Sequence, residues 1–321
     1  MVKDALALAE TASKVIKENQ NILLTIFPAL ESKRLSLEAY RQGVLDSNLS
    51  SEAKAIALAT SHTDLMHKIN QSKIAKLAVE NARDGTNFTS NVGVDIAFLD
   101  KFMDEAKFVY DEEIQLMWAK VLAGEFEAPN STSFNVVRIL SEITKGQAEL
   151  FANICSLSMN FVLETDQGFS PNVEAKVMLF FDSESNFLQQ IGIDFQSLSD
   201  LESLGLIKFD ALAGFIMKFD SSVYRKIHLY YNNKTTTVTK FPDKAFPIGN
   251  VMLTTSGEIL KRSVCQENIP AYNEHIGSEI TKQSVEISEN AEVLIRQNGD
   301  FGYSISKLAN AENITRNTAP Q

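Results

Sequence analysis

The sequence is poor in the features that announce most chemistries. Cysteine occurs only at Cys155 and Cys265, far apart and without a CxxC. That excludes a disulfide framework and fits a reducing cytosol. The four histidines are His62, His67, His228 and His275. His62 and His67 are five apart and fall on different helix faces, unlike the i, i+4 pair of a zinc site. The 14 glycines form neither GxGxxG nor GxxxxGK[ST], which excludes the two common phosphate loops. No GxSxG elbow is present, so serine-hydrolase chemistry has no nucleophile turn. The longest apolar run, Ile22 to Leu30, has nine residues and contains Thr25 and Pro28. A membrane-spanning helix needs about twenty. No basic, apolar, small-residue leader opens the chain, and a cytoplasmic protein with no membrane contact is expected. Basic side chains number 30 against 41 acidic, a net charge of -11. Bulk attraction to nucleic acid or anionic lipid is thereby disfavoured.

What is present describes a globular, mostly helical protein. The 321 residues are 44% hydrophobic, enough for one large core or two smaller ones. The excess acid is local: residues 86–131 hold 3 basic and 9 acidic side chains. Ser51 to Arg83 has no Gly or Pro and reads as one long helix. Ala55, Leu58, His62, Leu65 and Ile69 form its apolar stripe, which then shifts to Ile74, Leu77 and Ala78. A helix of that length predicts a coiled-coil hairpin or an oligomer seam. Asp84-Gly85-Thr86-Asn87 ends it, and helices are predicted over 96–108 and 111–126. In the latter, Ile114, Met117, Trp118, Val121 and Leu122 make one apolar face. Asp111, Glu112 and Glu113 crowd its first turn, where the helix dipole favours negative charge.

Ser133 reads as the cap of a helix through Phe134, Val137 and Leu140. Thr144 and Gln147 have capping-box spacing ahead of a helix carrying Ala148, Phe151, Ala152, Cys155 and Met159, with Cys155 as a core thiol. Beyond 161 the period changes. Val173 to Phe181 reads as a strand or a buried helix. Asp194 to Ile207 reads as a helix ending in Leu204-Gly205-Leu206-Ile207, with Gly205 as its C-cap and Leu206-Ile207 leading into a strand. Phe215 to Phe219, Lys226 to Tyr231, Thr235 to Phe241 and Val251 to Thr254 read as strands, with Asn232-Asn233 as a turn. Thr254 or Thr255 caps a helix through Ile259 and Leu260. The tail from Cys265 is polar and acidic without a helical stripe, and Val293 to Ile305 reads as a hairpin about Asn298-Gly299. The expected organisation is a helical domain over 1–128, a winged-helix-like domain over 129–264 and an acidic tail over 265–321.

Two resemblances accompany that reading. The order helix, helix, Leu204-Gly205-Leu206-Ile207, β wing, then Leu253-Thr254-x-x-Gly257 resembles a winged-helix module over about 145–262. The residues Gln115, Trp118, Ala119, Leu122, Ala123, Gly124 and Glu125 are similar to a box found in an uncharacterised bacterial family, whose members also carry the Leu-Gly-Leu-Ile and Leu-Thr-x-x-Gly half. A related box occurs in abortive-infection-alpha proteins. The resemblance implies the architecture and an association with phage defence and stress; it implies no activity.

No catalytic, cofactor-binding or metal residue is assigned. A metal-dependent nuclease would need an Asp and a Glu-x-Lys on adjoining strands. Asp166 with Glu174-Ala175-Lys176 has that order, but Glu-x-Lys also occurs at 31–33, 52–54 and 105–107. The helix 194–207 carries Asp194, Asp200 and Glu202 and no basic residue, the wrong sign for a DNA groove. Residues 208–244 are opposite: Lys208, Lys218, Arg225, Lys226, Lys234, Lys240 and Lys244 face Asp210, Asp220 and Asp243, with Tyr224, Tyr230 and Tyr231 interleaved. Such a wing touches phosphate or stacks on bases in some modules and contacts protein in others. The leading expectation is a non-enzymatic interaction protein that homo-oligomerises through its N-terminal helices and binds an unidentified protein partner. A nucleic-acid-binding regulator is the alternative, and a nuclease the third.

Overall fold

A computed structural model describes residues 22–82, 93–166, 168–169, 174–218, 224–238, 245–287 and 293–297. The protein is mainly α, with small antiparallel sheets. Two compact units form: residues 1–148 with 258–264, and residues 149–257 with 265–321.

The first unit is helical. α1 (Ile22–Asp46) and α2 (Ser51–Asn81) fold back on each other across a short turn. Ser50 caps α2 by accepting from the Ala53 amide. Arg41 reaches across to donate to the Leu58 carbonyl at 2.7 Å and to Ser61 Oγ at 3.3 Å. The long helix is thus one arm of a hairpin. Its inner face differs from the predicted stripe: Leu65, Ile74 and Ala78 are buried, while Ala55 and His62 lie at the surface and Ser61 is buried. At that end of the helix Ser61, which accepts from Arg41, takes the inward place expected of His62, while Leu65, Ile74 and Ala78 keep theirs. The predicted break at Asp84-Gly85-Thr86-Asn87 lies outside the described residues.

The second half of α2 carries a buried polar row, Asn70, Gln71 and Ser72. This row serves the end of α3 (Ile96–Ala106). The last carbonyls of a helix lack intrahelical partners. Gln71 Nε2 donates to the Met103 carbonyl at 2.7 Å, and Asn70 Nδ2 to the Lys107 carbonyl at 2.9 Å. From α4 (Glu112–Glu127), Gln115 Nε2 donates to the Val109 carbonyl at 2.8 Å and to Asn70 Oδ1 at 3.3 Å.

α4 begins at Asp111, whose carboxylate accepts from the Glu113 and Ile114 amides. All five residues of its predicted apolar face are buried. Trp118 is fully buried, edge-on to Phe102 with ring centroids 4.6 Å apart. Glu125 is fully buried as well and clamps the following turn. It accepts from the Asn130 amide at 2.5 Å, the Thr132 amide at 2.8 Å and Ser131 Oγ at 3.4 Å. α5 (Phe134–Glu142) follows, and then α6 (Lys145–Ser156), opened by a reciprocal Thr144–Gln147 capping box.

In the second unit a six-stranded sheet runs β10-β7-β6-β1-β2, with β3 also on β1. The strands are β1 (Ser158–Thr165), β2 (Gly168–Phe169), β3 (Glu174–Val177), β6 (Tyr224–Tyr231), β7 (Lys234–Val238) and β10 (Val293–Gln297). The open reading of 173–181 resolves as strand β3 followed by buried Met178 to Phe180. Asn232 and Asn233 both have positive φ, 43° and 61°, the two-residue turn that matches hairpin twist.

Next come α7 (Asn186–Gln190) and α8 (Phe195–Leu204), the latter opened by an Asp194–Ser197 capping box and closed by left-handed Gly205. β4 (Ile207–Phe209) pairs antiparallel with β9 (Val251–Leu253), and β5 (Phe215–Lys218) with β8 (Ala245–Gly249). The two two-stranded pairs follow one another along the same two segments, linked by the Asp210 amide donating to the Asn250 carbonyl, as an interrupted ribbon that the chain leaves after β5 to build β6 and β7. α9 (Thr255–Lys261) follows. Thr254 Oγ1 donates to the Gly205 carbonyl and accepts from the Gly257 amide. At Gly257 a Cβ would lie 2.1 Å from the Leu206 carbonyl oxygen, so only glycine lets α9 close on the start of the ribbon.

The acidic tail contains a helix absent from the sequence expectation, α10 (Tyr272–Ile287). Tyr272, Ile276 and Ile280 are buried. The Tyr272 hydroxyl sits 2.7 Å from the Leu157 carbonyl and 2.6 Å from that of Met178. Val293–Gln297 pairs with β7, while the predicted Asn298-Gly299 turn lies outside the described residues.

Trp118→Ala should destabilise the protein by about 3–5 kcal/mol, since a large buried ring is lost and its cavity is only partly refilled. Thermal melting checks this; a midpoint equal to that of the parent would contradict burial of the ring.

Candidate functional site

The nuclease pattern does not converge. In the β1–β3 pair, Glu174 lies opposite Phe161 and Lys176 opposite Met159. Asp166 follows the far end of β1, about 17 Å further at the rise of an extended strand. Among the described residues no group of three or more His, Cys, Asp or Glu side chains could hold a metal ion.

A different polar cluster forms where β1, β6 and β7 adjoin. Val162 pairs with His228, and His228 with Thr237, so the three stand in one row; Glu164 and Lys226 pair two residues along, on the same face of the sheet. His228 is buried, with Nε2 2.7 Å from Glu164 Oε2 and Nδ1 3.0 Å from Thr237 Oγ1. Lys226 Nζ donates to both Glu164 oxygens, at 3.0 and 3.3 Å. Burial holds the His228 imidazole below its ordinary pKa, against the opposing pull of Glu164. Burial also raises the Glu164 carboxyl, but hydrogen bonds from His228 and Lys226 outweigh it and leave that group below its usual value. A neutral imidazole donating from Nε2 and accepting from the Thr237 hydroxyl satisfies this network.

The row has the order of a hydroxyl, imidazole, carboxylate relay. Thr237 is buried and sits in an internal strand, with β10 on its other side. The arrangement ties three strands together. Sequence separations of 9 and 64 residues hid it; the signal present was the alternation of Lys226, His228 and Tyr230 opposite Thr235 and Thr237.

The basic wing is divided. Lys226 and Lys234 belong to the six-stranded sheet, and Lys226 is paired with Glu164. Tyr231 is buried, its hydroxyl accepting from the Ile269 amide. Lys208 and Lys218 stay exposed on the ribbon. The Arg225 and Tyr224 side chains, with Lys240, Lys244, Asp220 and Asp243, lie outside the described residues. The wing was expected as one surface; its tip is instead a hairpin drawn into the sheet by pairing with β1.

The outer face of α8 is the other exposed feature. Gln196, Asp200, Glu202 and Ser203 are exposed, and Phe195 is 56% exposed. Phe195 meets Phe209 and Phe181 edge-on, with centroids at 5.5 and 6.2 Å, and Phe181 meets Phe209 at 5.2 Å. Glu202 Oε1 accepts from the Phe209 amide at 2.9 Å. This aromatic trio was not anticipated, because its rings come from three separate elements.

The model of a family described as "Protein of unknown function (DUF2806)" matches residues 59–276. The chain belongs to the DUF2806 family. The match runs from within α2 to within α10 and so takes in both α8 and the Glu164–His228–Thr237 row. No curated protein and no solved structure matches the chain.

In this DUF2806 chain the polar row makes stability depend on pH. His228 is lowered in the fold, so below the ordinary histidine pKa of 6.5 the unfolded state binds the proton first. Glu164 is also lowered, so its contribution is lost as pH falls through the carboxylate range. Both act in one direction: the melting midpoint should fall as pH drops below about 6.5. In His228→Gln the part of that fall nearest neutral pH should disappear. A His228→Gln profile parallel to that of the parent would exclude His228 as its source.

Proposed function

We propose that this protein is a non-enzymatic interaction or regulatory protein of the cytosol, built on a winged helix and assembling as a homo-oligomer through its N-terminal helices. The supporting order is α6, the extended stretch 177–181, α7, α8, the four-strand ribbon and α9. The Gly249 backbone bridges to Leu179, which brings that stretch against the ribbon. In such a module α8 occupies the place of the helix that enters a nucleic-acid groove.

The observation that carries the reading is the charge of that helix. Asp194, Asp200 and Glu202 give it three carboxylates and no cation. Phosphate is bound by Lys and Arg through counterion release. An acidic helix fits a protein partner better than a phosphate backbone. For association, support comes from Leu35, Leu45, Leu49 and Ile56, exposed on the α1–α2 hairpin. For a cytosolic site, no helix among the described residues is long and apolar enough to cross a membrane. The Gln115-to-Glu125 box supports a link with phage-defence proteins.

Two measurements test this. Labelled duplex DNA at low salt should show no salt-sensitive anisotropy change with the wild-type protein; a steep salt-dependent signal would favour the nucleic-acid reading. Light scattering on a size-exclusion peak should give a multiple of 35.6 kDa. Leu49→Glu with Ile56→Glu should lower that mass while helicity is kept. A monomeric parent would remove the oligomer from the proposal.

A further inference from the structure

Helix α8 offers more than a charge. Phe195 stands at its first turn with 56% of its surface exposed, although a large ring at a free surface forfeits burial. It is braced rather than loose, since Phe181 and Phe209 meet it edge-on. The charged side chains of α8 itself are of one sign. Glu202 lies two turns along the same helix face and is anchored through one oxygen to the Phe209 amide. Asp200 accepts from Gln196 Nε2 at 2.7 Å, and Asp194 caps the helix. Among the described residues none of Asp194, Asp200 and Glu202 forms an ion pair with a Lys, Arg or His. Each retains carboxylate capacity toward solvent.

An exposed aromatic face and carboxylates held near it are complementary to one kind of group. A guanidinium stacks on an aromatic ring and forms paired hydrogen bonds to a carboxylate in the same plane. A neutral apolar segment would leave the acids unanswered, and a phosphate would be repelled by them. Braced aromatics inside a polar rim are also the usual anchors of a protein interface.

We infer that the Phe181–Phe195–Phe209 patch on α8 is a docking surface for an arginine-bearing basic segment of a partner protein. The inference rests on the interaction-protein reading above and gives that reading's partner a chemistry. Phe195 is the anchor, against which the guanidinium stacks. Glu202, on the same helix face, supplies the opposing charge, and Asp200 on the flank of the helix adds to it.

The probe is a short fluorescein-labelled peptide of alternating arginine and leucine, titrated with the full-length protein and followed by anisotropy. The same peptide with glutamate for arginine is the control, and labelled duplex DNA is run beside them. The arginine peptide should bind and the glutamate peptide should not. Phe195→Ala, which leaves net charge unchanged, should weaken binding at least about tenfold. Asp200→Lys should weaken it further and steepen the loss with salt, and both variants should melt like the parent. Equal binding by Phe195→Ala would mean bulk attraction to a chain of net charge -11 and would overturn the inference. So would a fall in oligomeric mass on Phe195→Ala, which would make the patch a contact between copies. A DNA signal that falls steeply with salt would instead overturn the interaction-protein reading itself. Absent that signal, failure with the peptide would concern the patch alone.

Discussion

Backbone groups freed where secondary structure ends must find partners, and this protein meets that demand with buried side chains. Unpaired buried carbonyls and amides each cost on the order of 1–3 kcal/mol. Gln71 holds a carbonyl of the last turn of α3, and Asn70 and Gln115 hold carbonyls just beyond it. Glu125 holds the amides of the turn after α4. Asn250 joins the ribbon to its surroundings, accepting from the Phe181 amide and donating to the Asp210 carbonyl. Tyr272 places its hydroxyl between the carbonyls of Leu157 and Met178. In every case one polar side chain fixes where the chain may turn. The Gln and Glu of the α4 box have this structural meaning, and Trp118 between them fills the core that surrounds them.

The same economy limits the chemistry available. Lys226, His228, Glu164 and Thr237 would be a suggestive set in an open cleft. Here they are cross-strand neighbours whose donors and acceptors answer one another, with strands on both sides of Thr237. A hydroxyl so enclosed has no approach for a substrate carbon, since a reacting atom must come within about 3–3.5 Å. The row therefore contributes register and pH dependence.

Helix positions in the first unit were legible because periodicity and caps are local signals. The α4 stripe, the Thr144–Gln147 box and the Gly205 stop each appear where the residue types demand. His62 lies at the surface although it falls in the periodic stripe, because Ser61 beside it takes the inward position, where Arg41 of α1 donates to it. α10 was overlooked although Tyr272, Ile276 and Ile280 recur at four-residue spacing; the polar residues between them masked that spacing. Pairing of β6 with β1 joins residues 59 to 70 apart, and no local pattern encodes such a contact. The aromatic trio fails for the same reason, since its rings share neither an element nor a period.

That long-range pairing bears directly on function. A wing with a free basic tip could close over a phosphate backbone whatever the charge of the helix beside it. In this fold the chain leaves the ribbon after Lys218 and enters the sheet at Tyr224, where Lys226 is committed to Glu164. Part of the positive charge is thereby used inside the unit, and the two lysines exposed on the ribbon, Lys208 and Lys218, stand apart from it. Among the described residues, none of the three carboxylates of α8 is paired with a cation from those strands. Helix α8, with its carboxylates and its braced phenylalanine, carries the sign of charge that attracts cations and repels phosphate.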